Sequence, residues 1–274
     1  MRSLALLTLT PFLVLPLGGC LGFKVNVSRI DNASYPAPTS VVQIRSSNGA
    51  ISVTGGEVDE VQVEAKITAY GQTEEAAQAV LDGSELEFLE EDGVLTVQLA
   101  SDSPKFASAA FKVIMPRDLE CRMDSSNGAI DARDLNARVV ADTSNGAVAI
   151  RNVGDEIKVK TSNGAILVQS ETPATIDLKT SNGSVKFTGA LFGAQNRFAT
   201  SNGRIEMDLL GPATLVTPST SNGSITLDGT KIKKGETILV GSDGDADPAS
   251  ITVKTSNGSI KIRDKSVKAT GDSV

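Results

Sequence analysis

The residues that could do chemistry are few. Asp243, Asp245 and Asp247 alternate in GSDGDADP. Carboxylates at every second position are a weak candidate for a calcium ion. The run has no second acidic cluster and no distal bidentate Glu, so a solvated loop is the simpler reading. The chain has no His and no Trp. That removes His-based triads, imidazole general bases and most zinc sites. Asp131, Asp142 and Asp177 are present, but no two acids recur as an isolated pair of the kind that cleaves a glycosidic bond, about 5–9.5 Å apart. The aromatic content of 4% is low for a sugar platform. The chain is therefore expected to be non-enzymatic and to need no cofactor. A formal net charge of −7 argues against nucleic acid as a partner.

The two thiols differ in context. Cys20 closes Leu17-Gly18-Gly19-Cys20, after a basic Met1-Arg2 start and an apolar stretch over residues 4–17. That stretch is too short to span a bilayer and reads as a secretory signal. Its end resembles the bacterial lipobox, in which an aliphatic residue and two small residues precede the lipidated Cys. Residues 1–19 are then a lipoprotein signal peptide and Cys20 carries the anchor. Several acyl chains give stable attachment where one is marginal. Leu21 follows; in enteric bacteria a residue other than Asp there usually permits transfer to the outer membrane. Cys121 is left without a disulfide partner. It sits in an apolar/charged alternation and reads as a small buried strand residue.

The most conspicuous pattern is a repeat. Ser-Asn-Gly recurs with its Asn at 48, 127, 145, 163, 182, 202, 222 and 257, at spacings of 79, 18, 18, 19, 20, 20 and 35. Two residues before each Asn stands Ser or Thr; three after stands Ile or Val, from Ile51 to Ile260. Period-2 alternation on both sides of the triplet reads as two half-buried strands meeting at a corner. The corner residues are Asn48-Gly49, Asn127-Gly128, Asn145-Gly146, Asn163-Gly164, Asn182-Gly183, Asn202-Gly203, Asn222-Gly223 and Asn257-Gly258. The alternation slips by one residue at Asn-Gly. Gly is expected to supply positive φ and Asn to tolerate the left-handed region.

These features predict an all-β fold: a single-chain parallel β-solenoid, a β-helix expected to be right-handed, with 18–20 residues per rung. Equivalent residues would stack about 4.8 Å apart. The inward parity would put Ile, Val and Leu in the core and stack Ser/Thr and Asn into hydrogen-bonded ladders. A corner placed before the Asn would instead turn Asn outward. An exposed Ser-Asn-Gly row could also serve as a polar binding strip. The Asn-Gly-Ser triplets match a glycosylation pattern and are read as coincidence in a bacterial lipoprotein.

The chain divides as signal peptide 1–19, lipidated Cys and polar tether 20–39, repeat domain 40–263 and polar tail 264–274. Within the repeat domain, residues 57–116 do not repeat. They read as strands around one short helix over 73–81, with Thr73 as N-cap, and form a natural cap for an end rung. Pro218 and the long 222–257 interval interrupt the regularity. A degenerate copy at Gly241-Ser242-Asp243-Gly244 would fill that interval.

VQIRSSNGAISVTGG (42–56), FKVIMPRDLECRMDSSNGAIDARDL (111–135) and VKTSNGSIKI (253–262) resemble the bacterial putative-adhesin family of β-strand-repeat domains. The resemblance covers roughly residues 40–263. It implies a single-chain parallel β-helix at the cell envelope and transfers no catalytic residues. The expected function is that of a lipid-anchored envelope protein, held in the membrane by its anchor, binding a surface protein or polymer. The runner-up is a periplasmic scaffold or envelope-stress-sensing lipoprotein. A polysaccharide-active enzyme is the third reading.

Overall fold

A computed structural model describes residues 25–211, 213–241 and 247–266. The signal peptide, Cys20, Asp243 and Asp245 lie outside the described residues, as does most of the proposed copy at 241–244. The described residues are all-β, with 22 strands and one helix. They fall into two compact units, residues 1–131 and 132–274.

The first unit holds β1 (Val25–Pro36), β2 (Val41–Ser46), β3 (Ile51–Gly56), β4 (Glu60–Gly71), α1 (Glu74–Asp82), β5 (Ser84–Glu91), β6 (Val94–Ser101), β7 (Ala107–Pro116) and β8 (Glu120–Ser125); the boundary falls within β9 (Ile130–Leu135). β2 runs parallel to both β6 and β8, with Val42 opposite Leu95 and Cys121. β3 runs parallel to β7. The first Ser-Asn-Gly copy thus sits between residues 94–116 and the second copy, although 94–116 follows it in sequence.

Three antiparallel pairings complete this unit: β4 on β7, β1 on β4 and β5 on β6. The segment read as a tether is therefore largely a strand. Its polar side chains hide this, because β1 is held mainly by backbone pairing along twelve residues of β4. Its one buried residue is Asp31, which accepts from the Arg29 guanidinium at 3.0 Å. Arg29 also donates to Leu81 O at 2.7 Å and to Ser84 O. These carbonyls lie at and just beyond the C-terminal end of α1, whose last turn has no basic residue of its own. A cation from the neighbouring strand complements the helix dipole there. At the other end Thr73 Oγ1 accepts from Ala76 N at 3.2 Å, the N-cap the sequence predicts, and Ala77 and Leu81 are buried.

The second unit holds β10 (Val139–Thr143), β11 (Val148–Val153), β12 (Asp155–Thr161), β13 (Ile166–Lys179), β14 (Val185–Leu191), β15 (Asn196–Ala199), β16 (Ile205–Leu209), β17 (Thr214–Thr220), β18 (Ile225–Leu227), β19 (Thr230–Lys231), β20 (Ile238–Val240), β21 (Ala249–Thr255) and β22 (Ile260–Asp264). Strands entering the corners form one parallel ladder, β10–β12–β13–β15–β21–β17. Strands leaving them form a second, β11–β13–β14–β16–β22–β18. The long β13 serves the second ladder with residues 166–170 and the first with 174–179.

Inward residues such as Val159, Leu178, Phe198 and Val253 come from the first ladder, and Val168, Phe187, Met207 and Ile262 from the second. Phe187 meets Phe198 edge-on at 5.2 Å. Burying each such side chain contributes about 1.5–3 kcal/mol.

The expected succession of parallel rungs is corrected in two ways. The last copy, β21–β22, is inserted between the sixth and seventh copies. The outer strands are then covered by antiparallel pieces, β20 on β17 and β19 on β18. An open ladder end would expose unpaired backbone groups, and these pieces close it. Asp228 and Gly229, at φ 46° and 88°, make the tight turn between β18 and β19. Pro218 is tolerated because it lies on β17 beyond the residues 214–216 that β20 pairs, so no partner strand misses its N–H on that side.

Candidate functional site

Each corner is built from four residues. The Ser or Thr two before the Asn faces inward. It is buried in seven of the eight copies, with Ser46 half-buried. Thr180 shows the pattern: its Oγ1 accepts from Gly183 N at 3.1 Å and donates to Gly164 O on the adjacent copy at 3.0 Å. Thr161, Thr200, Thr220 and Thr255 likewise donate to the Gly carbonyl of a neighbour, at 2.9–3.1 Å. In the first unit Ser125 reaches Gly49 O, while Ser46 bonds Ala109 O at 2.8 Å. Ala109 there replaces the repeat glycine.

All eight Asn are exposed, the second of the two orientations that the sequence leaves open. The corner comes before the Asn, so the alternation slips between the Ser/Thr and the Gly. The amides still form rows. In the first unit Asn127 donates to Asn48 at 2.6 Å. In the second the order is Asn145, Asn163, Asn182, Asn202, Asn257, Asn222, each linked to the next at 2.7–2.8 Å.

The reason for the glycine differs from the expectation. No repeat Asn or Gly has positive φ. A Cβ on Gly164, Gly183 or Gly203 would instead lie 1.7–1.8 Å from the neighbouring glycine's carbonyl oxygen. Glycine is required because adjacent corners approach too closely for any side chain. Positive φ appears at the other corner, seven residues after the Asn, at Asp134 (60°) and Asn152 (51°). Asn152 donates to Asp134 at 3.1 Å there. Asp and Asn at that offset were the available signal for where this second corner falls.

Among the described residues the other candidates do not assemble. Asp247 is exposed, and no group of three His, Cys, Asp or Glu residues among the described residues is placed to hold a metal ion. Asp142 lies 3.8 Å from Lys160 and Asp177 lies 2.8 Å from Lys179; Asp131 belongs to the other unit. Cys121 is fully buried, and burial, helped by the charge of Glu120, pushes its thiol up to about 12. No described helix is long and apolar enough to cross a membrane.

The most informative surface is the outward side of the corner-entering strands in the second unit. Lys158, Lys179 and Arg197, on three successive strands, line a concavity of about 310 Å³ together with Glu156, Thr175, Asp177 and Gln195.

No family model and no curated protein matches this chain. Solved structures do. A "putative adhesin" from Bacteroides fragilis is 14% identical, with 85% of this chain and 96% of that chain covered and a TM-score of 0.47. A "putative cell adhesion protein" from Clostridium sporogenes is 8% identical, over 85% of this chain and 99% of that chain, with a TM-score of 0.40. A "putative lipid binding protein" from Parabacteroides distasonis is 11% identical, over 85% and 96%, with a TM-score of 0.35.

Proposed function

We propose that this chain is a lipid-anchored bacterial envelope protein that presents a β-solenoid for adhesion or for binding an envelope partner. The solenoid reading rests on the parallel ladders of the second unit, whose central partners lie 18–20 residues apart. The antiparallel pieces and the swapped last copy are then its end closures. The envelope reading is carried by one observation: Leu17-Gly18-Gly19-Cys20 directly precedes the domain. A repeating array of exposed side chains suits a partner contacted at many weak points. No catalytic step is assigned.

The test is protease and antibody accessibility on intact cells, beside a Cys20→Ala strain. Wild-type protein in the membrane fraction, accessible from outside and released by Cys20→Ala, is expected. Protection until the outer membrane is opened would overturn display and leave a periplasmic scaffold. Unchanged membrane attachment in Cys20→Ala would overturn the anchor.

A further inference from the structure

We propose that the corner-entering face of the second unit binds a linear polymer of acidic sugars, with lysine and arginine taking the acid groups and Asp177 taking a sugar hydroxyl. The proposal names the ligand class for the envelope reading above and rests on it for where the polymer is met.

Charge is unevenly divided along the chain. Residues 1–131 carry 18 acidic and 9 basic side chains, whereas residues 132–274 carry 15 acidic and 17 basic. Five of these 17 basic side chains share one face, together with Glu156 and Asp177. Lys158 and Lys160 on β12, Lys179 on β13, Arg197 on β15 and Lys254 on β21 all point outward from four consecutive hydrogen-bonded strands. The strands are about 4.8 Å apart. The cations stand at two register positions along the ladder axis, Lys158 and Arg197 at one and Lys160, Lys179 and Lys254 at the other, a strip that a repeating anion can follow.

Two features separate this row from an ordinary solvated surface. Lys158, Arg197 and Lys254 have no carboxylate within 4.0 Å among the described residues, so these charges are not already used. Asp177 lies between Lys158 and Arg197 in the ladder register. Its Oδ2 accepts from Lys179 at 2.8 Å, while its Oδ1 is buried and has no donor. Such an acceptor is normally satisfied. A sugar hydroxyl entering the 310 Å³ concavity would supply the missing donor once the side chains that cover Oδ1 move aside. Thr175, Thr217 and Thr252 add hydroxyls on the same face. The concavity is lined by no aromatic side chain, and its one arginine, Arg197, is exposed rather than seated in a desolvated pocket of the kind that anchors protein partners. Leu239 on β20, opposite Leu215, is exposed at the far edge of the ladder and Phe192 lies just before β15, so the vesicle probe tests whether these side chains enter a bilayer.

The experiment uses the full chain with Cys20→Ala, so that no acyl chain contributes to binding. The probes are polygalacturonate, neutral dextran, and vesicles of phosphatidylglycerol and phosphatidylcholine in equal parts. Polygalacturonate is expected to bind, dextran not, and affinity is expected to fall at least tenfold between about 50 and about 200 mM salt. The exposed triple variant K158S/R197S/K254S should lose binding by about 10- to 100-fold with an unchanged unfolding midpoint. K186S/K261S, on the other face, should bind as wild type. Asp177→Ala should weaken binding; simple charge attraction would make it tighter. Equal binding of dextran, an unaffected triple variant, tightening by Asp177→Ala, or binding to the vesicles alone would each overturn the proposal. Failure here with correct surface display would leave the envelope reading standing.

Discussion

Two rows of polar side chains pass through the same corners, two residues apart in sequence. The Ser/Thr row is buried, and Thr180 uses its hydroxyl both as acceptor and as donor. The Asn row is exposed, and Asn182 likewise bonds a neighbour on each side, Asn163 and Asn202. The bond counts are alike and the surroundings are not. Water can replace a partner in the outer row and cannot in the inner one. The inner row therefore belongs to the fold, while the outer row is available to a partner. Substitutions graded by burial test that division.

The largest effect is expected at the glycine between the rows. A Cβ on Gly183 would meet Gly164 O at 1.7 Å and Thr180 Oγ1 at 2.9 Å. Backbone on one side and a buried bond on the other leave nothing to yield. Gly183→Ala should cost about 3–5 kcal/mol in denaturant unfolding, beyond ordinary overpacking. Gly229→Ala is the control, since its Cβ would meet nothing within 4 Å and only its φ of +88° is unfavourable. About 1 kcal/mol is expected there.

Thr180→Val comes next. It keeps the shape and removes the hydroxyl, leaving Gly183 N–H without its acceptor and Gly164 O without this donor. About 2–3 kcal/mol should be lost, and Thr180→Ser should recover most of it.

Burial also governs Cys121. Its thiol is raised from 9.0 to about 12, so the folded state keeps its proton where the unfolded chain loses it. Below pH 9 this group contributes no pH dependence. From pH 9 toward 12 the unfolded state binds fewer protons, and stability should fall, by about 1 kcal/mol at pH 10. Cys121→Ala should flatten that alkaline slope, and a thiol reagent should label Cys121 in the Cys20→Ala chain only on unfolding.

How far these positions could be read in advance follows from how local their causes are. The strand pairs flanking each triplet and the Thr73-capped helix were legible, because alternation and capping act within a few residues. Glycine was recognised at the right positions for the wrong reason: the close approach to Gly164 O involves a different copy, and the Gly183 neighbourhood in sequence does not display it. The outward turn of Asn was left open because period-2 parity cannot say on which side of a triplet the corner falls. The insertion of residues 249–264 between two earlier copies was invisible, since identical triplets pair equally well in either order on sequence grounds. β1 was missed because backbone bonds and the Arg29–Asp31 pair hold it, without a hydrophobic pattern.

The smallest effect is expected in the outer row. Asn182→Ala removes two amide bonds, yet Asn163 and Asn202 remain in water and regain hydrogen bonds there. About 0.5 kcal/mol should be lost, a quarter or less of the Thr180→Val cost. Asn182→Asp keeps the shape and one acceptor while placing a charge in the row, and should cost little more at moderate salt. A loss from Asn182→Ala equal to that from Thr180→Val would break the comparison, because both rows would then be needed to hold adjacent copies together. With the expected small loss, the repetition of Asn is more than folding requires. The row could then be altered without unfolding the chain, so any change in cell-surface binding in the Asn182 variants would report on contact rather than on stability.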